Sequence, residues 1–293
     1  MMRKRWIQAM AMLLPALTGC LKHTRKVMQV SMPGVVMSAS GSQLVDSINK
    51  QYDAIDSLNA KVEFRASAGG AKKGKVTDYT SFSGYILLRK PENLRVLGLV
   101  PVLHTIAFDL ASDGQTFKLY IPIKNKAIVG SNSVTVQSTN PIENLRPNIF
   151  FDSLLIHSIG PDELYSITNQ TKTVQDSKKK RLIVQPDYDL NVLRKQPDSN
   201  ELIPERVIHF SRIDLLPYEE DIYDKNGDIE TQALYGPYQT FGTAKFPGII
   251  TIRRPLEEYQ IVITIQKLTV NQKLNDNQFQ MKIPAGVQTR IIK

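Results

Sequence analysis

Thr80-Ser81-Phe82-Ser83-Gly84-Tyr85-Ile86-Leu87-Leu88-Arg89-Lys90-Pro91 is the stretch on which the fold turns. Phe82, Gly84, Ile86 and Leu88 fall on one face of an extended chain, while Tyr85 and Leu87 fall on the other, so the period is two and both faces are apolar. Such a strand suits a sheet whose one face packs on a helix and whose other face is barrel wall. Phe117, Leu119 and Ile121 against Lys118 and Tyr120 repeat the period with a cleaner inside and outside, as do Ile261, Ile263 and Ile265 against Thr264 and Gln266. The same signal predicts strands over Thr80–Arg89, Asn93–Leu99, Thr105–Ala111, Thr116–Ile121, Arg181–Pro186, Glu205–Ser211, Ile229–Tyr235, Gly248–Arg253 and Glu257–Leu268. Gly69-Gly70, Asp113-Gly114 and Asn226-Gly227 stand between β-rich segments as hairpin turns. The expected class is mainly β (α+β), built on an antiparallel sheet or barrel.

Upstream of the strands, Leu44, Val45, Ile48, Tyr52, Ile55 and Leu58 recur at helical spacing opposite Asp46, Asn49, Lys50 and Asp53, with Ser42 as the expected N-cap. Pro141–Ile156 is the one long interruption of the strand pattern. Leu145, Ile149, Phe150, Leu154 and Leu155 could make one or two short helices there, broken at Pro147. Pro186–Pro204, with Asp187, Asp189, Pro197, Asp198 and Asn200, reads as an exposed loop.

The N-terminus carries a different message. Arg3, Lys4 and Arg5 form a positive n-region, Trp6 to Leu17 is an apolar run too short to span a bilayer, and Leu17-Thr18-Gly19-Cys20 places the one cysteine of the chain directly after a small residue. This looks like a bacterial lipoprotein signal. Residues 1–19 would be removed, Cys20 lipidated, residues 20–41 would form a flexible tether, and residues 42–293 the folded domain. The bland alternative is a cleaved secretory signal with a coincidental cysteine. Acylated Cys20 leaves no thiol for a disulfide or a thiolate metal site, and three acyl chains exceed the two-signal need for stable anchoring. Leu21, where an aspartate would favour inner-membrane retention, points to the periplasmic face of the outer membrane.

The formal net charge is +9, of which three charges leave with Arg3, Lys4 and Arg5. Lys72, Lys73 and Lys75 adjoin glycines, and Lys178 to Arg181 adjoin a polar turn, so both runs read as solvated hairpin tips rather than a nucleic-acid surface. A basic surface beside an anionic membrane is the more useful inference.

Enzyme chemistry finds little support. His23, His104, His157 and His209 stand far apart with no second ligand at metal spacing, and strand-borne His104 and His209 read as structural. No Gly-x-Ser-x-Gly elbow, phosphate-binding glycine loop or His-Glu-x-x-His helix occurs. Glu219, Glu220 and Asp221, beside Pro217 and Tyr218, read as a solvated edge. Asp224 to Asp228 echoes a calcium loop without its closing glutamate and reads as a hairpin turn. The expectation is no enzyme, no cofactor and no metal.

Three separated stretches, in order, resemble the outer-membrane lipoprotein-sorting (LolA/LolB-like) family. They are Phe82 to Pro91, Ser112-Asp113-Gly114-Gln115-Thr116-Phe117-Lys118-Leu119-Tyr120-Ile121-Pro122, and Phe279-Gln280-Met281-Lys282-Ile283-Pro284-Ala285-Gly286-Val287. In that family a Gly-containing strand ends in a basic residue plus proline, a Ser-Asp-Gly hairpin leads to a Tyr-x-Pro strand end, and a Phe-containing strand with a Pro-x-Gly turn closes the chain. The helix at Ser42–Leu58 also holds its family place. The resemblance implies an incomplete, bent antiparallel β-barrel with an N-terminal helix and a helical lid, enclosing an apolar cavity for acyl chains of lipoproteins or lipids.

By that resemblance Ile86, Leu88, Leu94, Val96, Leu110 and Leu119 line the cavity, while Lys90, Leu145, Ile149 and Leu154 belong to the lid contact. The family's carriers have arginine directly before the strand-end proline, where this chain has Lys90 and carries Arg89 one position earlier, on the opposite face. The residues alone favour a filled core over a cavity, because periodicity reports a face and not whether the space behind it is empty. The implied role is receipt or insertion of lipoproteins at the outer membrane, with a periplasmic lipoprotein carrier as partner. A non-transporting envelope sensor or scaffold, and a carrier of a free lipid or glycolipid, are the competing readings.

Overall fold

In a computed structural model of the chain, residues 30, 35–134, 138, 141–176 and 181–292 are described. Cys20, the signal at 1–19, the tether up to residue 34 apart from residue 30, His23 and Lys178 to Lys180 lie outside them. The chain divides into two units. One comprises Val35–Lys172 and Pro186–Lys293; the other comprises Met1–Gly34 and Thr173–Gln185.

The first helix, α1 (Gly41–Asp53), starts where a reciprocal capping box can form. The Ser40 side chain accepts from the Gln43 amide at 3.2 Å, and Gln43 Oε1 accepts from the Ser40 amide at 2.8 Å. The cap therefore stands two residues before the expected Ser42, and the helix ends five residues before Leu58. Ile55 and Leu58 are buried as predicted, but they lie in the turn and strand that follow. Residues 37–39 of the expected tether are hydrogen-bonded to the folded unit. The Met37 amide donates to the Arg212 carbonyl at 2.7 Å, and Arg212 Nε donates back to the Met37 carbonyl at 3.1 Å.

The sheet has 15 strands among the described residues. They are β1 (Ser57–Gly70), β2 (Lys75–Asp78), β3 (Phe82–Arg89), β4 (Asn93–Leu99), β5 (Ile106–Asp113), β6 (Thr116–Ile121), β7 (Lys126–Ser131), β8 (Leu164–Asp176), β9 (Arg181–Lys195), β10 (Leu202–Ser211), β11 (Pro217–Tyr223), β12 (Ile229–Phe241), β13 (Ala244–Arg254), β14 (Tyr259–Val270) and β15 (Gln288–Ile292). Their order is β15-β7-β6-β5-β4-β3-β1-β14-β13-β12-β11-β10-β9-β8, with β2 paired to β1 off this path. The sheet is open, since β15 and β8 are its two ends. Strand β15 runs parallel to β7, whereas the pairs with assigned register are otherwise antiparallel.

Register places the apolar sets together. Ala60, Ile86, Val96, Leu110, Leu119 and Ile128 are successive cross-strand partners from β1 to β7, so they form one row on one face. All six are at most 2% exposed. Two of the three predicted hairpin turns are present at Asp113-Gly114 and Asn226-Gly227, where Asp224 accepts from the Asn226 and Asp228 amides; Gly69-Gly70 instead end β1, paired with β2, and the turn follows at residues 71–74. Gly84 is required by close packing: a Cβ there would meet the Leu97 carbonyl oxygen and the Phe64 ring.

Two sequence expectations are corrected by this sheet. The Pro186–Pro204 stretch is not a loop: β9 continues to Lys195 and β10 begins at Leu202, which leaves only the turn at Pro197–Asn200. Tyr188, Leu190 and Val192 alternate with Asp187 and Asp189, and acids at strand positions masked the period of two. Likewise Glu219, Glu220 and Asp221 are no solvated edge. They lie on β11, between β10 and β12, with Glu220 2% and Asp221 8% exposed.

The third resemblance stretch also differs in form. Phe279 to Val287 is not a strand; it follows a short 3₁₀ turn at Asp276–Gln278 and leads to β15. Cations of the sheet donate to carbonyls within this stretch and just before it. Arg95 Nη1 donates to the Gln278 carbonyl at 3.1 Å and Lys118 Nζ to the Met281 carbonyl at 3.2 Å, while Arg89 donates to the Leu274 carbonyl at 2.8 Å and stacks over Phe279. Arg89 thus faces away from Leu88, as the alternation requires.

Candidate functional site

The second helix, α2 (Pro147–Leu154), falls inside the interruption expected at Pro141–Ile156. Pro147 occupies the first turn, where its missing N–H costs nothing. A short 3₁₀ turn at Pro141–Asn144 precedes it. Pro147, Ile149, Phe150, Phe151, Ser153 and Leu154 are buried, so α2 is apolar on nearly every side. The helix touches β4 and β5 on one flank and β12 and β13 on the other. Those strands are well separated in the sheet order, so the sheet curves around α2 and holds it like a plug.

The sequence-predicted residues meet at this plug. Ile86, Leu88, Leu94, Val96, Leu110 and Leu119 are fully buried, and Leu145, Ile149 and Leu154 belong to the same apolar cluster. Phe150, Phe151 and Leu155 join it, as do Ile250, Ile252 and Ile263 from the other half of the sheet. The space behind the row is therefore occupied by side chains. A small, partly open pocket of about 20 Å³ lies between α1, the end of α2, Tyr235, Tyr238 and Phe246, about the room of one water molecule. Lys90 is placed elsewhere: its Nζ donates to the Tyr52 carbonyl at 2.6 Å and stands 3.7 Å from the Tyr52 ring centre, so it closes the last turn of α1. Burial pulls the Lys90 ammonium below its ordinary pKa, against the opposing pull of Asp56 and Asp53.

The plug is tethered at both ends by charged groups. Before α2, Lys126 Nζ pairs with Glu143 Oε2 at 2.8 Å, and Arg146 donates to the Glu143 and Leu145 carbonyls and lies over Phe117. Burial lowers the Arg146 pKa, with Glu257 nearby opposing it. After α2, Arg206 Nη1 and Nη2 donate to the His157 and Ser158 carbonyls at 2.8 and 2.9 Å. Arg206 also pairs with Glu220 at 3.6 Å, and Tyr235 Oη donates to Glu220 Oε2 at 3.1 Å.

Glu220 stands in an inner row between Ala233 and Ile208. Desolvation pushes its carboxyl up to about 7, in spite of Arg206 and Tyr235. Sequence reasoning missed Glu220 and Arg206, for no periodic signal distinguishes a buried acid from an exposed one.

The tip of the β4–β5 hairpin is apolar and open. Val102 and Leu103 are 90% and 72% exposed. Val102 has φ of 65° and His104 has φ of 52°, a conformation that β-branched residues seldom adopt. His104 is thus a turn residue and not strand-borne.

No family model matches this chain, and no curated protein matches it in sequence. Solved structures do. A LolA superfamily protein from Nitrosomonas europaea superposes with a TM-score of 0.51 at 13% identity, over 83% of this chain and 99% of that one. A DUF1329 family protein from Desulfovibrio piger gives 0.49 at 16% identity, over 82% and 95%. At these identities the likeness is one of fold. With its open sheet curved around a short buried helix, this chain shares its fold with that LolA superfamily protein from Nitrosomonas europaea.

Proposed function

We propose that this protein is a lipid-anchored envelope protein that takes acyl chains of lipoproteins or lipids between the two halves of its sheet, at the outer membrane. The observation that carries the reading is the plug. Helix α2 is eight residues long, too short to be stable alone, and it fills the sheet's concave face with side chains an alkyl chain could replace. Exchange of one apolar occupant for another leaves the wall of Ile86, Leu88, Leu94, Val96, Leu110 and Leu119 dry, so the hydrophobic term nearly cancels. Direction would come from a difference in affinity between donor and acceptor, with no bond made or broken. Lipidated Cys20 would hold the domain at the membrane, and a periplasmic lipoprotein carrier would be its partner.

The apolar hairpin tip fits the same reading. Val102 and Leu103 would enter the lipid interface, each worth about 1.5–3 kcal/mol when buried. Replacing both with glutamate in a chain carrying Cys20→Ser, and so without the acyl anchor, is expected to weaken partition onto anionic vesicles by at least about tenfold, measured by co-sedimentation at fixed salt. Unchanged partition would remove the tip from the membrane contact.

The test of the site is native mass spectrometry of the exported chain with Cys20→Ser, purified without detergent. Stoichiometric acyl-bearing ligand, or uptake of an added triacylated lipopeptide, is the expected result. The filled core favours one second reading, a sensor or scaffold of the same fold whose interior never opens. A ligand-free protein that also refuses the lipopeptide would establish that reading instead.

A further inference from the structure

The face of the sheet opposite the plug carries a separate cluster. Asp189 on β9, His209 on β10 and Glu219 on β11 are successive cross-strand partners, and Asp221 stands two residues along β11 on the same face. Nitrogen of His209 and oxygens of Glu219 and Asp221 lie within 4.8 Å of one another. Two features set them apart from a chance grouping.

The first is the orientation of the imidazole. His209 Nδ1 lies 2.7 Å from Asp189 Oδ1, and Asp189 is 3% exposed. A buried carboxylate on Nδ1 fixes the tautomer that leaves the Nε2 lone pair outward, the arrangement found behind metal-bound histidines. The second is spacing. Nε2 is 3.4 Å from Asp221 Oδ2, well beyond the 2.7–2.9 Å or so of a charge-assisted hydrogen bond. Two donors each about 2.1 Å from a tetrahedral zinc ion stand roughly 3.4 Å apart.

The carboxylates are also prepared. Gln232 Nε2 donates to Asp221 Oδ1 at 2.9 Å and approaches Glu219 Oε1 at 3.4 Å, which leaves Asp221 Oδ2 toward the histidine. Lys172 Nζ, 3.8 Å from Glu219 Oε2 and 5.0 Å from the Tyr218 ring centre, is the nearby cation, and an ion would have to displace it from Glu219; its side chain is 40% exposed.

We propose that His209, Glu219 and Asp221 bind a divalent cation of the zinc class, with Asp189 as positioning residue and water completing the coordination. One nitrogen and two carboxylate oxygens suit zinc and manganese better than the all-oxygen ions calcium and magnesium. The ion would tie β10 to β11. The site is independent of the acyl-chain proposal, because its residues lie on the other face.

The test is isothermal titration of the full-length, detergent-solubilised protein with zinc, and with cobalt for its visible spectrum. One equivalent is expected, with a tetrahedral cobalt spectrum and a raised Tm. His209→Gln and Asp221→Asn should abolish it, and Asp189→Asn should weaken it about 10–100-fold. Glu219→Gln, an isosteric change at a side chain 18% exposed, should weaken binding even if the His209 variant fails to fold. No binding, or the same affinity in the Glu219 and Asp221 variants as in the parent, would overturn the proposal and leave His209 as a protonated bridge between Asp189 and Asp221.

Discussion

Phe150→Ala should lower the unfolding free energy by about 3–5 kcal/mol and make the protein a better acyl-chain binder. Phe150 is fully buried at the middle of α2, where the plug meets both halves of the sheet. Truncation leaves a void lined by Leu, Ile and Val, which stays dry and accepts apolar guests. An added triacylated lipopeptide should therefore restore much of the lost stability in the variant, seen as a larger ligand-induced rise in Tm than in the parent. Loss of stability with no recovery on adding lipid would mean that α2 is permanent core, as the scaffold reading requires.

Arg206→Ala should cost about 3–5 kcal/mol, because it strips the compensating cation from buried Glu220 and releases the His157 and Ser158 carbonyls behind α2. Glu220→Gln gives the contrasting result. The Glu220 carboxyl titrates near pH 7 in the fold against about 4.5 in the unfolded chain. Its raised pKa stabilises the fold fully below pH 4.5, and that stabilisation is lost as pH rises toward 7, since the unfolded chain ionises first. The total is about 3 kcal/mol. Denaturant unfolding from pH 4.5 to 8 should show this decline in the parent and a flatter profile in Glu220→Gln. An identical profile would show that Glu220 does not govern it.

These two expectations rest on the same construction. The plug is apolar in its middle and held by Lys126–Glu143 and Arg146 before it and by Arg206–Glu220 after it. On the acyl-chain reading proposed above, this short helix would leave its seat without unpairing the strands, which are hydrogen-bonded to one another rather than to it. Two charged anchors raise the barrier to that movement, and a partner carrying opposite charge could compete for them.

How much of this was legible in the residues can be judged element by element. Strands β4 and β6 have the boundaries that alternation predicted, and the Asp113-Gly114 and Asn226-Gly227 turns stand where expected, because period and turn chemistry are local. The period of two likewise put Ile86 with Leu88, and Leu119 with Phe117, on one face of their strands, whereas the membership of Leu94, Val96 and Leu110 in the same buried face came from the family resemblance. By contrast the run of β9 beyond the predicted Arg181–Pro186 hid behind Asp187 and Asp189, and β11 behind Glu219, Glu220 and Asp221. Acids at strand positions look solvated until cross-strand partners such as His209, Tyr235 and Arg206 are brought to them from 11 or more residues away.

The sequence by itself thus determined that this protein is mainly β, which side chains share a face within single strands such as β3 and β6, and where two of its hairpins turn. Those properties follow from the pleat and from glycine's freedom at a tight turn, both local. Only the tertiary structure decided that α2 fills the concave face, that Glu220 is buried beside Arg206, and that His209 faces Glu219 and Asp221. What stands opposite a face, and what dielectric surrounds a charge, depend on the curvature of the whole sheet and on strands distant in the chain, which no local period records.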